Sequence, residues 1–332
     1  MGMIDPVPDL NAMTLDQLHD QLVREGLVAR LFELSRLEDL GPSARDATSL
    51  AMVDGQSKTH ADIVARQPGI ASGIAFVGDL LDIFANAVLF RPRLTDGQPF
   101  DAGHSLGSLL GPTRQILAAE RTLLNMLGRM CGIATRTAAF IDAMGSTDAT
   151  LYDTRKTTPG MRGLEKYAVR CGGGYSHRMG LHDAVLIKDN HLAGIPPDML
   201  KDAITRFARA ARAGDQQPAF VEVEADSLEQ LTILLAVEPG LIDIILLDNM
   251  PTAALRDAVA MRNQHNPDLA LEASGGITLD TIGAVAATGI ERISCGSITH
   301  GATWIDLGLD IGPDTPSDAP ATRATPPRPD HP

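Results

Sequence analysis

The sequence predicts an α/β chain: a parallel β/α barrel that stops short of full closure, preceded by a mixed α/β segment. Three observations carry this. From about residue 132, short apolar β-prone runs alternate with helical stretches. The runs are continuously apolar rather than alternating, as in a parallel sheet covered by helices on its faces. Nearly every run ends in polar, ionisable or Gly-rich residues, as strands do where their C-terminal ends converge on one functional face. A doubly wound open sheet would instead concentrate its site at a switch point.

The elements follow in order. Residues 1–25 form an N-terminal extension, opening with prolines and polar residues and then placing Leu15, Leu18 and Leu22 at helical spacing. Residues 26–131 form an N-terminal α/β domain, with Leu27, Leu31, Leu34 and Leu37 on one helical stripe and strand material in 62–71. The apolar run 69–90 carries Asp79 and Asp82 near its middle, which speaks against a membrane span and for a buried strand or turn followed by a helix. A strong helix over 112–130 starts at Pro112 and shows the stripe Ile116, Leu117, Leu123, Leu124, Leu127, Met130. Residues 132–311 form the barrel, with strands expected at 149–152, 184–187, 219–223, 242–247, 269–273 and 292–294. Helices are expected at 199–213, 228–236, 253–264 and 279–287. Residues 312–332 read as a disordered Pro-rich tail, since seven of the chain's 21 prolines fall in the last 20 residues.

Composition narrows the function. The 332 residues are 44% apolar and carry a net charge of −14, which disfavours general binding to nucleic acid or an anionic membrane. The N-terminus has neither the basic nor the apolar region of an export signal. Cys131, Cys171 and Cys295 are too scattered for a disulfide framework or a cysteine zinc site, so a reducing cytoplasm is expected.

Against this acidic background, residues 153–191 stand out. They hold seven Lys/Arg and four acids, for a charge of +3, and three of the chain's five lysines. Such focused positive charge suits a small anion. Arg155, Lys156 and Lys188 sit at strand ends; Lys166 and Arg170 read equally well as solvated helix-face charges. Ser274-Gly275-Gly276 and Gly296-Ser297 each follow a strand and open a helix, the arrangement that cradles phosphate. Glu224 and Asp248 end neighbouring strands, where carboxylates hold Mg²⁺ or sugar hydroxyls. Gly172-Gly173-Gly174 is not a dinucleotide fingerprint, and no serine or cysteine nucleophile elbow is present. The residues alone describe a phosphate-binding barrel with a cationic pocket for a substrate bearing phosphate and carboxylate.

Longer motifs add a resemblance. Asp153-Thr154-Arg155-Lys156-Thr157-Thr158-Pro159-Gly160, then Glu165-Lys166-Tyr167-Ala168-Val169-Arg170-Cys171, His177-Arg178-Met179-Gly180-Leu181 and Leu186-Ile187-Lys188-Asp189-Asn190-His191 resemble the quinolinate phosphoribosyltransferases. Glu38-Asp39-Leu40-Gly41, Glu120-Arg121-Thr122-Leu123, Gly132-Ile133-Ala134-Thr135, Glu222-Val223-Glu224, Leu247-Asp248-Asn249 and Glu272-Ala273-Ser274-Gly275-Gly276 fit the same family, so the likeness spans roughly 26–310. It implies an N-terminal α/β sandwich-like domain, an incomplete barrel and a homodimer. It also implies transfer of phosphoribosyl from phosphoribosyl pyrophosphate (PRPP) to quinolinate with decarboxylation, dependent on Mg²⁺.

By the same resemblance, Arg155, His177, Arg178 and Lys188 surround quinolinate, joined by Arg121 from the partner subunit. Lys156, Glu224 and Asp248 form the catalytic set, the two acids on the Mg²⁺–PRPP side. Thr154, Lys156, Ser274, Gly275, Gly276, Cys295, Gly296, Ser297 and His300, with Glu224 and Asp248, hold PRPP and its phosphate. Gln67 and Cys131 depart from the family pattern, away from these residues. The alternatives are a related phosphoribosyltransferase acting on nicotinate or another ring without decarboxylation, and a non-catalytic phosphometabolite-binding protein.

Overall fold

The computed structural model describes residues 7–214 and 217–312; the tail expected over 312–332 lies outside them except for Gly312. The chain opens with helices α1(Leu15–Arg24), α2(Leu27–Leu40) and α3(Ala47–Met52). There follow β1(Lys58–Ala65), β2(Gly69–Ile70), α4(Val77–Phe84), β3(Leu89–Pro92), β4(Pro99–Phe100), β5(Ser105–Pro112) and α5(Thr113–Met144). The barrel segment contains β6(Thr150–Tyr152), α6(Arg162–Cys171), β7(Val185–Ile187), α7(Asp189–Leu192), α8(Pro197–Arg212), β8(Val221–Ala225) and α9(Leu228–Leu235). It continues with β9(Ile244–Asp248), α10(Thr252–His265), β10(Ala270–Ser274), α11(Ile282–Ala286), β11(Arg292–Ser294), α12(Ser297–His300) and β12(Leu307–Gly312).

The six strands β6-β11-β10-β9-β8-β7 form one parallel sheet in that spatial order. β8 is buried along its whole length and β9 along all but its last residue; β9 accordingly runs apolar up to Asp248, whereas β8 alternates Val221, Val223 and Ala225 with the buried acids Glu222 and Glu224. The sheet curls into a barrel left open between β6 and β7. Tyr175 partly fills the seam by bridging in parallel to Tyr152. The expected strands and helices of this half are all present, within a few residues at their ends.

The N-terminal unit is a four-stranded antiparallel sheet of order β12-β1-β5-β3. α5 crosses from this sheet to the barrel's helices and is one 32-residue helix, longer than the sequence pattern suggested. Its continuation buries Ile133, Ala134, Thr137, Phe140 and Met144, again at helical spacing. Gly132 makes this possible without being a break: a Cβ there would lie 2.1 Å from Thr303 O, so only glycine lets the returning chain pass. The division expected at 131/132 therefore falls inside α5. β12, expected to belong to the barrel segment, pairs instead with β1.

The described part of the N-terminal extension, from residue 7, is docked on the body. Thr14 and Gln17 form a capping box at α1, and Leu18 and Leu22 are buried against the folded body.

Candidate active site

Strand register decides what meets what. Asp248, Ser274, Ser294 and Tyr152 are paired across β9, β10, β11 and β6, so the residues that follow them emerge at one level. There they line a cavity of about 780 Å³. Of the sequence-predicted residues, Thr154, Arg155, Lys156, His177, Arg178, Lys188, Asp248, Ser274, Gly275, Gly276, Cys295, Gly296, Ser297 and His300 all line it. Glu224 does not, but it reaches the rim through an ion pair with Lys188 Nζ. Arg121 is not brought there by its own chain: it lies exposed on α5, 3.9 Å from Glu120.

One end of the cavity is cationic. Burial, and then the neighbouring Arg155 cation, push Arg178 below its usual value. Two adjacent guanidinium groups with Lys188 beyond them suit a planar dianion. The loop carrying Lys156 is pinned to α12, since Thr299 Oγ1 donates to Lys156 O at 2.8 Å, while Lys156 N–H donates to Thr154 Oγ1 at 3.0 Å. α12 is anchored in turn by buried Arg129, which pairs with Glu165 at 2.8 Å and donates to Thr299 O and Ala302 O.

The opposite wall is the pair of Gly-rich loops. Gly275 sits at φ +90°, and a Cβ there would approach Asn249 Oδ1 to 2.2 Å. Asn249, itself left-handed at φ 53°, donates through Nδ2 to Asp248 Oδ2 at 2.6 Å and through its N–H to Ser274 O at 2.8 Å. Beside them the C-terminal ends of β7, β8 and β9 gather acids. Burial and then the charges of Glu224, Asp248 and Asp189 push Asp226 upward. Asp189 and Asp226 were not legible as part of this group from sequence; their only signal is position just after a strand.

The floor is a buried charge network. His177 Nε2 lies 3.0 Å from Glu222 and 3.2 Å from Glu272, and Arg292 donates to Glu272 at 2.8 Å while stacking on Tyr152. His177 Nδ1 accepts the Arg178 N–H at 2.8 Å. Burial opposes a charged ring, but the Glu272 and Glu222 carboxylates outweigh it and raise His177 to about 10. The two carboxylates favour a second proton on the ring, while the Arg178 N–H at Nδ1 opposes it; the proton common to both arrangements is the one on Nε2, facing Glu222 and Glu272. Burial and the charge of Glu272 raise Glu222. Glu272, despite its own burial, is held down at about 2 by His177 and Arg292. Both ring nitrogens of His177 thus face protein groups.

Lys166, open between two readings in the sequence, is fully buried and ion-paired to buried Asp153. It also donates to His177 O at 3.0 Å, and Asp153 Oδ1 accepts the His177 N–H at 2.9 Å. Lys166 lies in a stretch of α6, residues 164–169, that is buried throughout.

A strand-end cavity with two Gly-rich loops on one wall and paired guanidinium groups on another is the arrangement of a barrel that takes a phosphorylated, carboxylate-bearing substrate. Models of the quinolinate phosphoribosyl transferase N-terminal and C-terminal domains match residues 46–131 and 133–310. The chain belongs to the quinolinate phosphoribosyl transferase family. It is 41% identical over 268 residues to the nicotinate-nucleotide pyrophosphorylase [carboxylating] of Mycobacterium leprae, covering 80% of this chain and 91% of that one. To the probable counterpart in Bacillus subtilis it is 37% identical over 278 residues, covering 83% and 90%. Among solved structures, the nicotinate-nucleotide pyrophosphorylase of Francisella tularensis superposes with a TM-score of 0.77 at 33% identity, covering 92% of this chain and 100% of that one.

Proposed function

We propose that the protein joins quinolinate to PRPP and decarboxylates the product, yielding nicotinate mononucleotide, pyrophosphate and CO₂ for NAD biosynthesis. The observation that carries this is one cavity with Arg155, Arg178 and Lys188 at one end and the Ser274–Gly276 and Cys295–Ser297 loops at the other. The cations take the two ring carboxylates. The loops and the Thr154, Lys156 and His300 side chains take the 5′-phosphate. The ring nitrogen is then held facing the ribose anomeric carbon, and the acids at the β8 and β9 ends favour the positive charge that develops there. Once that nitrogen is quaternary, its positive charge stabilises the electron pair left on the neighbouring ring carbon when the carboxylate departs as CO₂, and that carbon then takes up a proton from solvent.

Glu224 and Asp248 carry oxygen donors of the kind Mg²⁺ takes, and with Asp189 and Asp226 nearby the donor set fits that ion. When bound, Mg²⁺ supplies neutralisation of pyrophosphate charge. His177, Glu222 and Glu272 also come within reach of a single ion, but there His177 Nε2 already faces both carboxylates and Arg292 pairs with the other oxygen of Glu272.

The same reading makes the protein a homodimer with Arg121 completing the partner's site. Thr122 donates to Asp39 of α2 at 2.8 Å. Next to Arg121, α2 turns Leu27, Leu34 and Leu37 outward, each more than half exposed. Leu27, Leu31 and Leu34 line an apolar groove of about 840 Å³ whose far wall includes Arg155, so a subunit covering this groove sits beside the active site. We place the protein in the cytoplasm; among the described residues no helix is long and apolar enough to cross a membrane.

The test is incubation with quinolinate, PRPP and Mg²⁺, following nicotinate mononucleotide and CO₂. Turnover of nicotinate but not quinolinate would replace this reading with the non-decarboxylating one.

A further inference from the structure

We propose that Asn11 is a positioning residue for the quinolinate end of the site, serving as the missing strand neighbour of Ser176 at the open seam of the barrel. The inference rests on the substrate assignment above. In a closed barrel both edges of every strand are hydrogen-bonded; here, among the described residues, the segment 175–177 has a strand neighbour only on its β6 side. Tyr175 N–H donates to Leu151 O at 2.8 Å, and Tyr175 O accepts from Asp153 N–H at 3.0 Å. The next residue points its backbone groups the other way, as alternation along an extended chain requires. There the Asn11 side chain supplies both partners. Ser176 N–H donates to Asn11 Oδ1 at 2.8 Å, and Asn11 Nδ2 donates to Ser176 O at 2.9 Å. A side-chain carboxamide has the same donor and acceptor as a peptide group, so Asn11 replaces one residue of an absent strand.

Asn11 is itself held. Its N–H donates to Asp9 Oδ1 at 2.9 Å. Arg170 donates to Leu10 O at 3.0 Å, to Asn11 Oδ1 at 3.2 Å and to Met13 O at 3.2 Å, with its guanidinium 5.4 Å from the Tyr175 ring centre. The backbone of His177 is then fixed by Asp153 and Lys166. Three consecutive residues thus have every backbone polar group paired, each by a different element, and Arg178 follows directly. Of the three supports, Asn11 is the one supplied from outside the barrel. Removing it leaves two part-buried backbone groups facing the seam, and the peptide preceding His177 and Arg178 free to rotate.

The test is Asn11→Ala in the full chain, with steady-state kinetics on both substrates and amide exchange at Ser176 to Arg178. The expected result is a quinolinate KM raised about tenfold, a PRPP KM within about twofold of the parent, and loss of protection at Ser176 N–H. Asn11→Asp keeps the acceptor but not the donor, so it should fall between the two, and it stands in should the alanine variant not fold. An unchanged quinolinate KM, or equal rises for both substrates, overturns the proposal. If the parent itself fails to turn over quinolinate, the substrate assignment falls; unchanged protection of Ser176 in Asn11→Ala would then overturn the positioning role as well.

Discussion

Lys166→Met tests the buried support of the site most directly. Lys166 is 1% exposed and its partner Asp153 0%. Methionine fills a similar volume, so packing changes little. What changes is that Asp153 keeps the His177 N–H at 2.9 Å but loses the ammonium it is ion-paired to, while its Oδ2 already has no hydrogen-bond partner among the described residues. Removing one member of such a pair costs about 3–5 kcal/mol, and loss of the donor to His177 O falls within that figure. The assay is urea unfolding at 25 °C of the parent, Lys166→Met, Asp153→Leu and the double variant. The double variant should recover at least about 2 kcal/mol relative to the sum of the singles, since no buried charge remains. The deficit should also depend on pH. Burial raises the Asp153 carboxyl above its ordinary 3.8, and without the ammonium nothing large opposes that shift. A carboxyl raised on folding binds its proton more tightly in the native state, so the penalty is absent below 3.8 and grows as pH rises toward the folded value. The Lys166→Met deficit should therefore be smaller at pH 5 than at pH 8. A loss under about 1 kcal/mol at pH 8, or a double variant no better than the sum of the singles, would refute the reasoning.

Three further outcomes are expected. Gly275→Ala forces a left-handed alanine against Asn249, at about 1–3 kcal/mol of strain; the PRPP KM should rise roughly 10- to 100-fold, read by initial rates, and an unchanged value would show that the loop does not hold phosphate. Arg121→Ala and Lys188→Ala homodimers should each be nearly inactive, yet return about a quarter of parental activity after equal mixing with verified subunit exchange; no recovery would place Arg121 outside the partner's site. Glu272, held at about 2, contributes stability that is present above its ordinary 4.5 and lost as pH falls through the folded value, so the cost of Glu272→Gln in chemical denaturation should be full at pH 7 and less than half by pH 3. A cost independent of pH would mean the carboxylate charge is not what matters.

The barrel strands were legible because burial on both faces leaves runs such as Ile244–Leu247 with no polar interruption, and the two Gly-rich loops because each falls between a strand and a helix. β5 was not legible: Gly107 and Gly111 interrupt its pattern, and they are there because Phe90 and Val88 press against them. Lys166 was ambiguous because a buried ammonium and a solvated one share a letter, and only the Asp153 carboxylate, 13 positions back, separates them. Asn11 carries no local signal, since its partner lies 165 residues away. Arg121 lies exposed on α5 beside Glu120, where its own chain does not distinguish it from a surface arginine, so its assignment rested on family resemblance alone.

The pairing of β12 with β1, from Ala65↔Leu307 to His60↔Gly312, has a consequence for biosynthesis. β1 leaves the ribosome about 240 residues before the strand that covers its edge. At ordinary translation speeds that edge stays open for roughly 10–50 s, through synthesis of the whole barrel. An uncovered strand edge is a template for pairing with other chains. A nascent chain stalled anywhere before residue 307 would therefore present an adhesive sheet even with its barrel strands complete, and release of a sound subunit waits on the last few residues of the described chain.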